Sequence, residues 1–142
     1  MQSIDSYSYH CGAIDALNQT VADGTNALVF GLITADRSER DSYLEYVKES
    51  CRKLGTSYFV EDDPLVTDLF PLSMLAGKFL ILFYKADHVI HEYNRLKERK
   101  ESTVKSGAYF SCNRNRLALD FGRLLSLPED IIQERLKQNT EK

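Results

Sequence analysis

Residues 77–87 read GKFLILFYKAD, and this stretch decides the fold class. Its apolar centre, residues 79–84, has the length and composition of a strand that is covered on both faces of a sheet. The polar residues Lys85 and Asp87 mark the point where the strand leaves the sheet, and Asp87 is well placed to cap a following helix. A buried strand followed by a helix is typical of α/β proteins, so we predict an α/β fold organised around this stretch.

The residues before this stretch predict a β-α-β unit. Residues 26–35 form a near-continuous apolar run, and residues 56–60 form a second, shorter strand. Between them, residues 38–54 carry apolar side chains at helical spacing. Because such a unit almost always makes its two strands parallel, we predict a three- or four-stranded, mainly parallel sheet flanked by helices. The fourth strand would be residues 65–70, although a proline at each end fits a packed loop equally well.

Further helices are predicted on both sides of these strands. One covers residues 9–23, and another directly follows the strand quoted above. A C-terminal helical pair comes next, with Pro128 in the first turn of its second helix. We predict a single α/β domain spanning residues 1–142, with loose tails at residues 1–8 and 138–142.

The composition is that of a soluble globular protein, with 43% hydrophobic and 27% charged residues. The longest apolar runs are far shorter than the ~20 residues of a membrane helix, so we expect no membrane partner. The N-terminus lacks the pattern of a secretory signal, which predicts a cytoplasmic protein. Three widely spaced cysteines favour free thiols in a reducing compartment.

The charge distribution argues against nucleic acid as a partner. Residues 1–87 carry 7 basic and 13 acidic side chains, and residues 88–142 carry 11 and 8. Nucleic-acid-binding domains usually show a much stronger basic patch or stripe. The asymmetry is large enough only to suggest that the two halves attract one another.

An acidic rim is the first candidate site. In a parallel sheet, ligands bind outside the carboxyl ends of the strands, which would gather one lysine, Lys85, with five carboxylates. These carboxylates are Asp36, Glu61, Asp62, Asp63 and Asp87. Carboxylates on loops can hold Mg²⁺ together with a substrate phosphate, so one hypothesis is a metal-assisted phosphoesterase or related hydrolase. The alternative is that these acids cap helices and end strands. No glycine-rich phosphate loop is present, so no cofactor beyond Mg²⁺ is indicated.

Cys11 and His10 form the second candidate site. A thiol near a helix N-terminus beside an imidazole can become a nucleophile, which would make the protein a thiol-dependent enzyme. Adjacent residues on a helix do not face one another, so a buried, inert Cys11 is the alternative interpretation.

Three further side chains are candidates for ligand binding. Tyr84 ends the central strand, and Arg116 and Arg123 lie on the first helix of the C-terminal pair. The two arginines could bind an anion or meet the acidic rim, and intramolecular ion pairs are the alternative use.

Five segments of the chain together resemble a small bacterial family of uncharacterised proteins. They are YHCG at 9–12, EDD at 61–63, TDLFP at 67–71, FYK at 83–85 and FGRLLSLPE at 121–129. The resemblance spans most of the chain and implies no known activity. It implies only that the YHCG, EDD and FYK segments belong together.

The leading functional hypothesis is therefore a small binding or interaction domain. Its partner would be another protein, a second copy of the chain or a small ligand. The metal-assisted hydrolase is the second hypothesis and the thiol-dependent enzyme is the third.

Overall fold

A computed structural model describes residues 6–142 of the chain. Its centre is a three-stranded sheet of β1 (Leu28–Thr34), β2 (Ser57–Glu61) and β3 (Phe79–Tyr84), in the order β1-β3-β2. Strand β3 lies in the middle and is antiparallel to both neighbours. The helices are α1 (Ser6–Ala22), α2 (Arg37–Ser42), α3 (Leu44–Leu54), α4 (Leu72–Leu75), α5 (Asp87–Lys105), α6 (Ser111–Leu124) and α7 (Glu129–Gln138).

The prediction of a mainly parallel sheet is wrong. Strands β1 and β2 run in the same direction, but β3 lies between them and runs the opposite way. The reason is the connection over residues 62–78, which leaves the sheet at Glu61 and re-enters beside it, where Glu61 pairs with Leu80. A parallel connection must carry the chain back along the length of the sheet, usually as a helix. The only helix of this connection, α4, has four residues.

Helices cover both faces of the sheet and make a three-layer domain. On one face, α1 and α3 pack against Ile81 and Phe83, and we call this side the first layer. On the other face, α5, α6 and α7 pack with the 62–78 connection against Leu80 and Leu82, and we call this side the second layer. Because both faces of β3 are buried, its sequence is continuously apolar rather than alternating.

A β-bulge interrupts the edge strand β1 at Gly31. The pairing with β3 shifts between Phe30 and Leu32, which leaves Gly31 as the extra residue. The ring of Phe83 lies directly against it, and a Cβ added at Gly31 would be 2.2 Å from the Cε2 atom of Phe83. Glycine is required here because no other residue leaves room for that ring.

The remaining elements differ in detail from the sequence expectations. The helix expected over residues 38–54 is divided into α2 and α3 at Tyr43. Residues 65–70 form no strand, and Leu65, Leu69 and Phe70 are instead buried in the second layer.

The two expected tails lie partly inside the fold. Residues 6–8 belong to α1, and residues 1–5 of that segment lie outside the described residues. After α7, the Asn139 amide donates hydrogen bonds to the carbonyl oxygens of Asp68 and Phe70. In residues 6–142, no helix is both long enough and apolar enough to cross a membrane.

Candidate functional site

The antiparallel order divides the predicted acidic rim between the two ends of the sheet. Glu61 ends β2, and Asp36, Asp62 and Asp63 follow β1 and β2 at the same end of the sheet. Lys85 and Asp87 follow β3 at the other end. The six residues of β3 separate these ends by about 17 Å. Lys85 is exposed, and its Nζ donates to the carbonyl oxygen of Ala22 at 3.3 Å. The FYK segment is therefore remote from the EDD segment that the family resemblance grouped with it.

The acidic end of the sheet is organised around a buried arginine, Arg40, which is 1% exposed. Its Nη2 lies 2.6 Å from Asp62 Oδ1 and its Nε lies 2.8 Å from Asp41 Oδ1. Its Nη1 donates to the carbonyl oxygens of Glu61 and Leu80 at 3.1 and 3.3 Å. Burial acts to lower the pKa of Arg40, but the bonds to the two carboxylates outweigh it and raise that pKa. The same guanidinium lowers the pKa of Asp62.

Glu61 points into the second layer and is 3% exposed. Its two oxygens accept from Lys97 Nζ at 3.0 and 2.8 Å, from the Tyr93 hydroxyl at 2.8 Å and from the Asp63 backbone N–H at 2.9 Å. The Tyr93 oxygen in turn accepts from the Leu65 backbone N–H. Burial, together with the Glu61 carboxylate, raises the pKa of Tyr93. We call Arg40, Asp41, Glu61, Asp62, Tyr93 and Lys97 the charged cluster.

The buried polar atoms of the charged cluster are already paired. In the described part of the chain, every buried side-chain nitrogen and oxygen atom has a hydrogen-bond partner. Residues 6–142 contain no group of three or more histidine, cysteine, aspartate or glutamate side chains arranged to hold a metal ion. Asp36, for its part, accepts from the backbone N–H groups of Ser38 and Glu39 and caps α2. These contacts stabilise the ends of strands and helices.

The sequence analysis missed Arg40, although a signal for its burial was present. Arg40 precedes Leu44, Val47 and Cys51 by four, seven and eleven residues, which places it on the same helical stripe as these apolar side chains. An arginine on an apolar stripe must pair with acceptors inside the protein. The EDD segment and the neighbouring strand carbonyl supply those acceptors here.

The described contacts of Cys11 and His10 are with residues outside the acidic end of the sheet. Cys11 packs in the first layer and is 7% exposed. His10 Nδ1 is 2.8 Å from the hydroxyl of Tyr43, and its ring meets the Tyr43 ring edge to face. Tyr7 stacks on the same tyrosine, with 5.1 Å between ring centroids. The histidine therefore contributes to an aromatic cluster at the junction of α2 and α3.

The remaining predicted ligand-binding residues are dispersed. Tyr84 is half-buried. Burial is the main cause that raises its pKa, and the negative charge of Asp87 adds to it. Arg123 pairs with Glu129 at 2.6 Å. Arg116 is exposed and lines a cavity of only 100 Å³ beside Tyr109.

A groove along the open edge of β1 has the chemistry of a binding site. It has a volume of 330 Å³, at the small end of the roughly 300–1,000 Å³ that is usual for ligand sites. We call it the edge groove, because it follows β1 and lies between the two helical layers. Its walls are mainly apolar and include Leu28, Phe30 and Ile33 of β1, Leu17 of α1, and Phe70, Met74 and Leu127 of the second layer.

One cation, Arg135 of α7, also lines the edge groove. Its guanidinium carbon lies 5.3 Å from the centroid of the Phe70 ring, which holds it over an aromatic face. Arg135 is exposed and makes no ion pair within residues 6–142. No sequence pattern indicated this groove, because the groove forms only when β1 lies at the edge of the sheet.

The fold and the groove define this chain as a three-layer α/β domain whose antiparallel sheet has an open, apolar edge. No protein-family model, no curated protein and no solved structure matches the chain. Its functional assignment therefore depends on the physical character of its own surfaces.

Proposed function

We propose that this chain is a binding module and that the edge groove is its binding surface. The groove would take an apolar group that carries a carboxylate. The observation that carries this proposal is an arginine without an ion pair at the wall of an apolar groove. An apolar wall with one fixed cation favours a ligand of matching character.

Arginine usage across the chain supports this assignment. Seven of the nine arginines lie within ion-pair distance of a carboxylate. The two exceptions among the described residues are Arg116, beside a small cavity, and Arg135, beside the edge groove. Because a guanidinium can bind a carboxylate through two parallel hydrogen bonds, Arg135 can orient a ligand as well as attract it.

The proposal can be tested with octanoate and octanol as probes. Both have an alkyl chain for the apolar wall, but only octanoate has a carboxylate. We expect octanoate to shift the ¹⁵N–¹H resonances of residues 28–33 and to bind at least about tenfold more tightly than octanol, because a charge-assisted hydrogen bond contributes roughly 1.5–3 kcal/mol. Arg135→Gln should remove this preference.

Arg116→Gln is the matched control, because it removes the other arginine without an ion pair. The control should keep the preference of the native chain for octanoate. Equal binding of octanoate and octanol to the native chain, or shifts that lie outside the edge groove, would contradict the proposal.

Three further parts of this proposal rest on sequence reasoning. They are a cytoplasmic location, a protein partner rather than nucleic acid, and kinship with the small bacterial family that the five segments resemble. The metal-assisted hydrolase and the thiol-dependent enzyme receive no support from a specific contact, and we do not propose them.

A further inference from the structure

We infer that the edge groove receives an extended segment of a partner protein, which pairs with β1 as a fourth strand and places an acidic side chain on Arg135. This inference rests on the proposed function of the groove and names its ligand. It follows from the backbone of β1, from the shape of the groove and from its charge.

The backbone of β1 is open on one side. In the described sheet, β3 pairs with one edge of β1, and no strand pairs with the other. In an antiparallel pair, alternate residues direct their N–H and C=O groups away from the partner strand. Next to the strand, the N–H of Ala27 donates to the hydroxyl of Ser126 in the α6–α7 connection at 3.0 Å. This contact shows that the second layer already meets the backbone at the start of the strand.

The edge of β1 has only part of the usual protection against strand pairing, namely the bulge at Gly31 and the contact of Ser126 with Ala27. Proteins commonly protect an edge strand with charged residues, with proline, with a bulge or with a covering segment. Leu28–Thr34 contains no charged residue and no proline, and its one irregularity is the bulge at Gly31. The other edge strand, β2, ends at Glu61 and is followed by two aspartates and a proline. The pairing surface is therefore on β1, over the residues that precede the bulge.

The groove reaches both faces of the sheet, with Leu17 on the first-layer side and most of its lining on the second-layer side, which suits an extended chain. Successive side chains of a strand point to opposite faces. One set of side chains on an added strand would face Leu17 of the first layer, and the other set would face Phe70 and Met74 of the second layer. Because these walls are apolar, the added segment should carry apolar side chains toward both layers.

The charge of the groove selects a partner protein over a second copy of β1. Arg135 can bind a carboxylate, and Leu28–Thr34 contains none. A pair of β1 strands from two copies would therefore bring no carboxylate from either strand to the arginines. An extended segment that contains aspartate or glutamate would satisfy the arginine directly.

The test uses the full chain, labelled with ¹⁵N, and a set of short acetylated and amidated peptides. The peptides alternate threonine with valine, leucine or phenylalanine, and each carries one glutamate. We expect at least one peptide to bind in the edge groove and to slow hydrogen exchange of alternate amides in residues 28–30 by tenfold or more, as about 1.4 kcal/mol of added protection requires.

Two changes to the bound peptide separate the contributions to binding. Replacing its glutamate with glutamine should weaken binding about tenfold, and Arg135→Gln should have the same effect without adding to it. Methylation of one inward-facing backbone nitrogen removes a main-chain donor while keeping every side chain. It should weaken binding at least about tenfold if the peptide pairs as a strand.

The outcomes distinguish this inference from the proposed function. If octanoate binds but no peptide does, or if backbone methylation has no effect, the strand-pairing inference fails and the proposed function remains. If neither octanoate nor any peptide binds the groove, both fail. If the chain without peptide forms dimers whose interface is β1, as sedimentation and concentration-dependent shifts would show, the partner is a second copy and the inference is overturned.

Discussion

The charged cluster and the edge groove use the same chemical group, an arginine, in opposite ways. In the charged cluster, Arg40 is buried, and two carboxylates and two carbonyl oxygens surround it. In the edge groove, Arg135 is exposed over an aromatic ring and has no carboxylate partner in the described chain. The cluster is richer in the residues that catalysis uses, but each of its buried polar atoms already has a partner.

The difference shows why abundance of charge is a poor guide to the site in this protein. A buried charged group is stable only when its hydrogen-bonding capacity is filled from within the protein. Such a group has little capacity left for a ligand. An apolar groove with one cation has capacity for both an apolar group and an anion, so the two regions should respond differently to substitution.

The largest effect is expected from Arg40→Met in the charged cluster. This change removes the side-chain donor of the Glu61 and Leu80 carbonyl oxygens and the closer of the two arginines that pair with Asp62. It should lower the free energy of unfolding by about 3 kcal/mol. Urea unfolding measures it. Arg37→Met is the matched control, because Arg37 also approaches Asp62, at 3.5 Å, but is largely exposed. It should cost less than about 0.5 kcal/mol. Similar costs for both variants would remove the distinction between the two regions.

Gly31→Ala should have the next largest effect, on the strand that forms the wall of the edge groove. The new Cβ would be 2.2 Å from Phe83 Cε2, and overpacking of this kind costs about 2 kcal/mol. Thermal and urea unfolding measure the change. Gly12→Ala, on the exposed side of α1, has no neighbouring atom within 4 Å and should leave stability unchanged or raise it by up to about 1 kcal/mol. A neutral Gly31→Ala would mean that the bulge is not tightly packed.

Acid should weaken the charged cluster. The Arg40 guanidinium lowers the pKa of Asp62, so the ion pair contributes stability above the unfolded-state pKa of about 4, and this contribution is lost as the pH falls through the lower folded-state pKa. The melting temperature of Asp62→Asn should therefore lie below that of the native chain at neutral pH and approach it in acid. A difference that stays constant across the acid range would contradict this linkage.

The smallest effect on stability is expected from Arg135→Gln. The side chain is exposed and its only described ring contact is with Phe70, so the free energy of unfolding should change by no more than about 1 kcal/mol. The same variant should lose the preference for octanoate over octanol. A loss of more than about 2 kcal/mol in stability would instead assign Arg135 a structural role like that of Arg40.

The sequence predicted the elements of the fold better than their arrangement. The apolar runs and helical spacings located all three strands and the long helices, because each pattern is local to its own segment. No local pattern predicts the direction of β3, since it depends on how residues 62–78 return to the sheet. The error in direction then displaced Lys85 from the acidic end, and the predicted rim was divided.

The candidate sites show the same division between what the sequence predicts and what only the tertiary structure decides. The sequence predicted a site at Glu61 and Asp62 because acidic residues occur there at the end of a strand. The structure places both residues in a cluster with Arg40, Tyr93 and Lys97. Arg135 had no distinguishing sequence context. Its position beside Phe70 arises from the packing of α7 on the 62–78 connection.

By itself, the sequence determined that this protein alternates buried strands with amphipathic helices around the core strand of residues 79–84. Hydrophobic periodicity specifies which side of each element is buried, but not which element covers it. Only the tertiary structure decided that β3 lies between β1 and β2. That order leaves β1 at the edge of the sheet, with Arg135 beside the edge groove and Arg40 buried at the acidic end of the sheet. The sequence alone could not give this order, because it depends on contacts between residues distant in the chain.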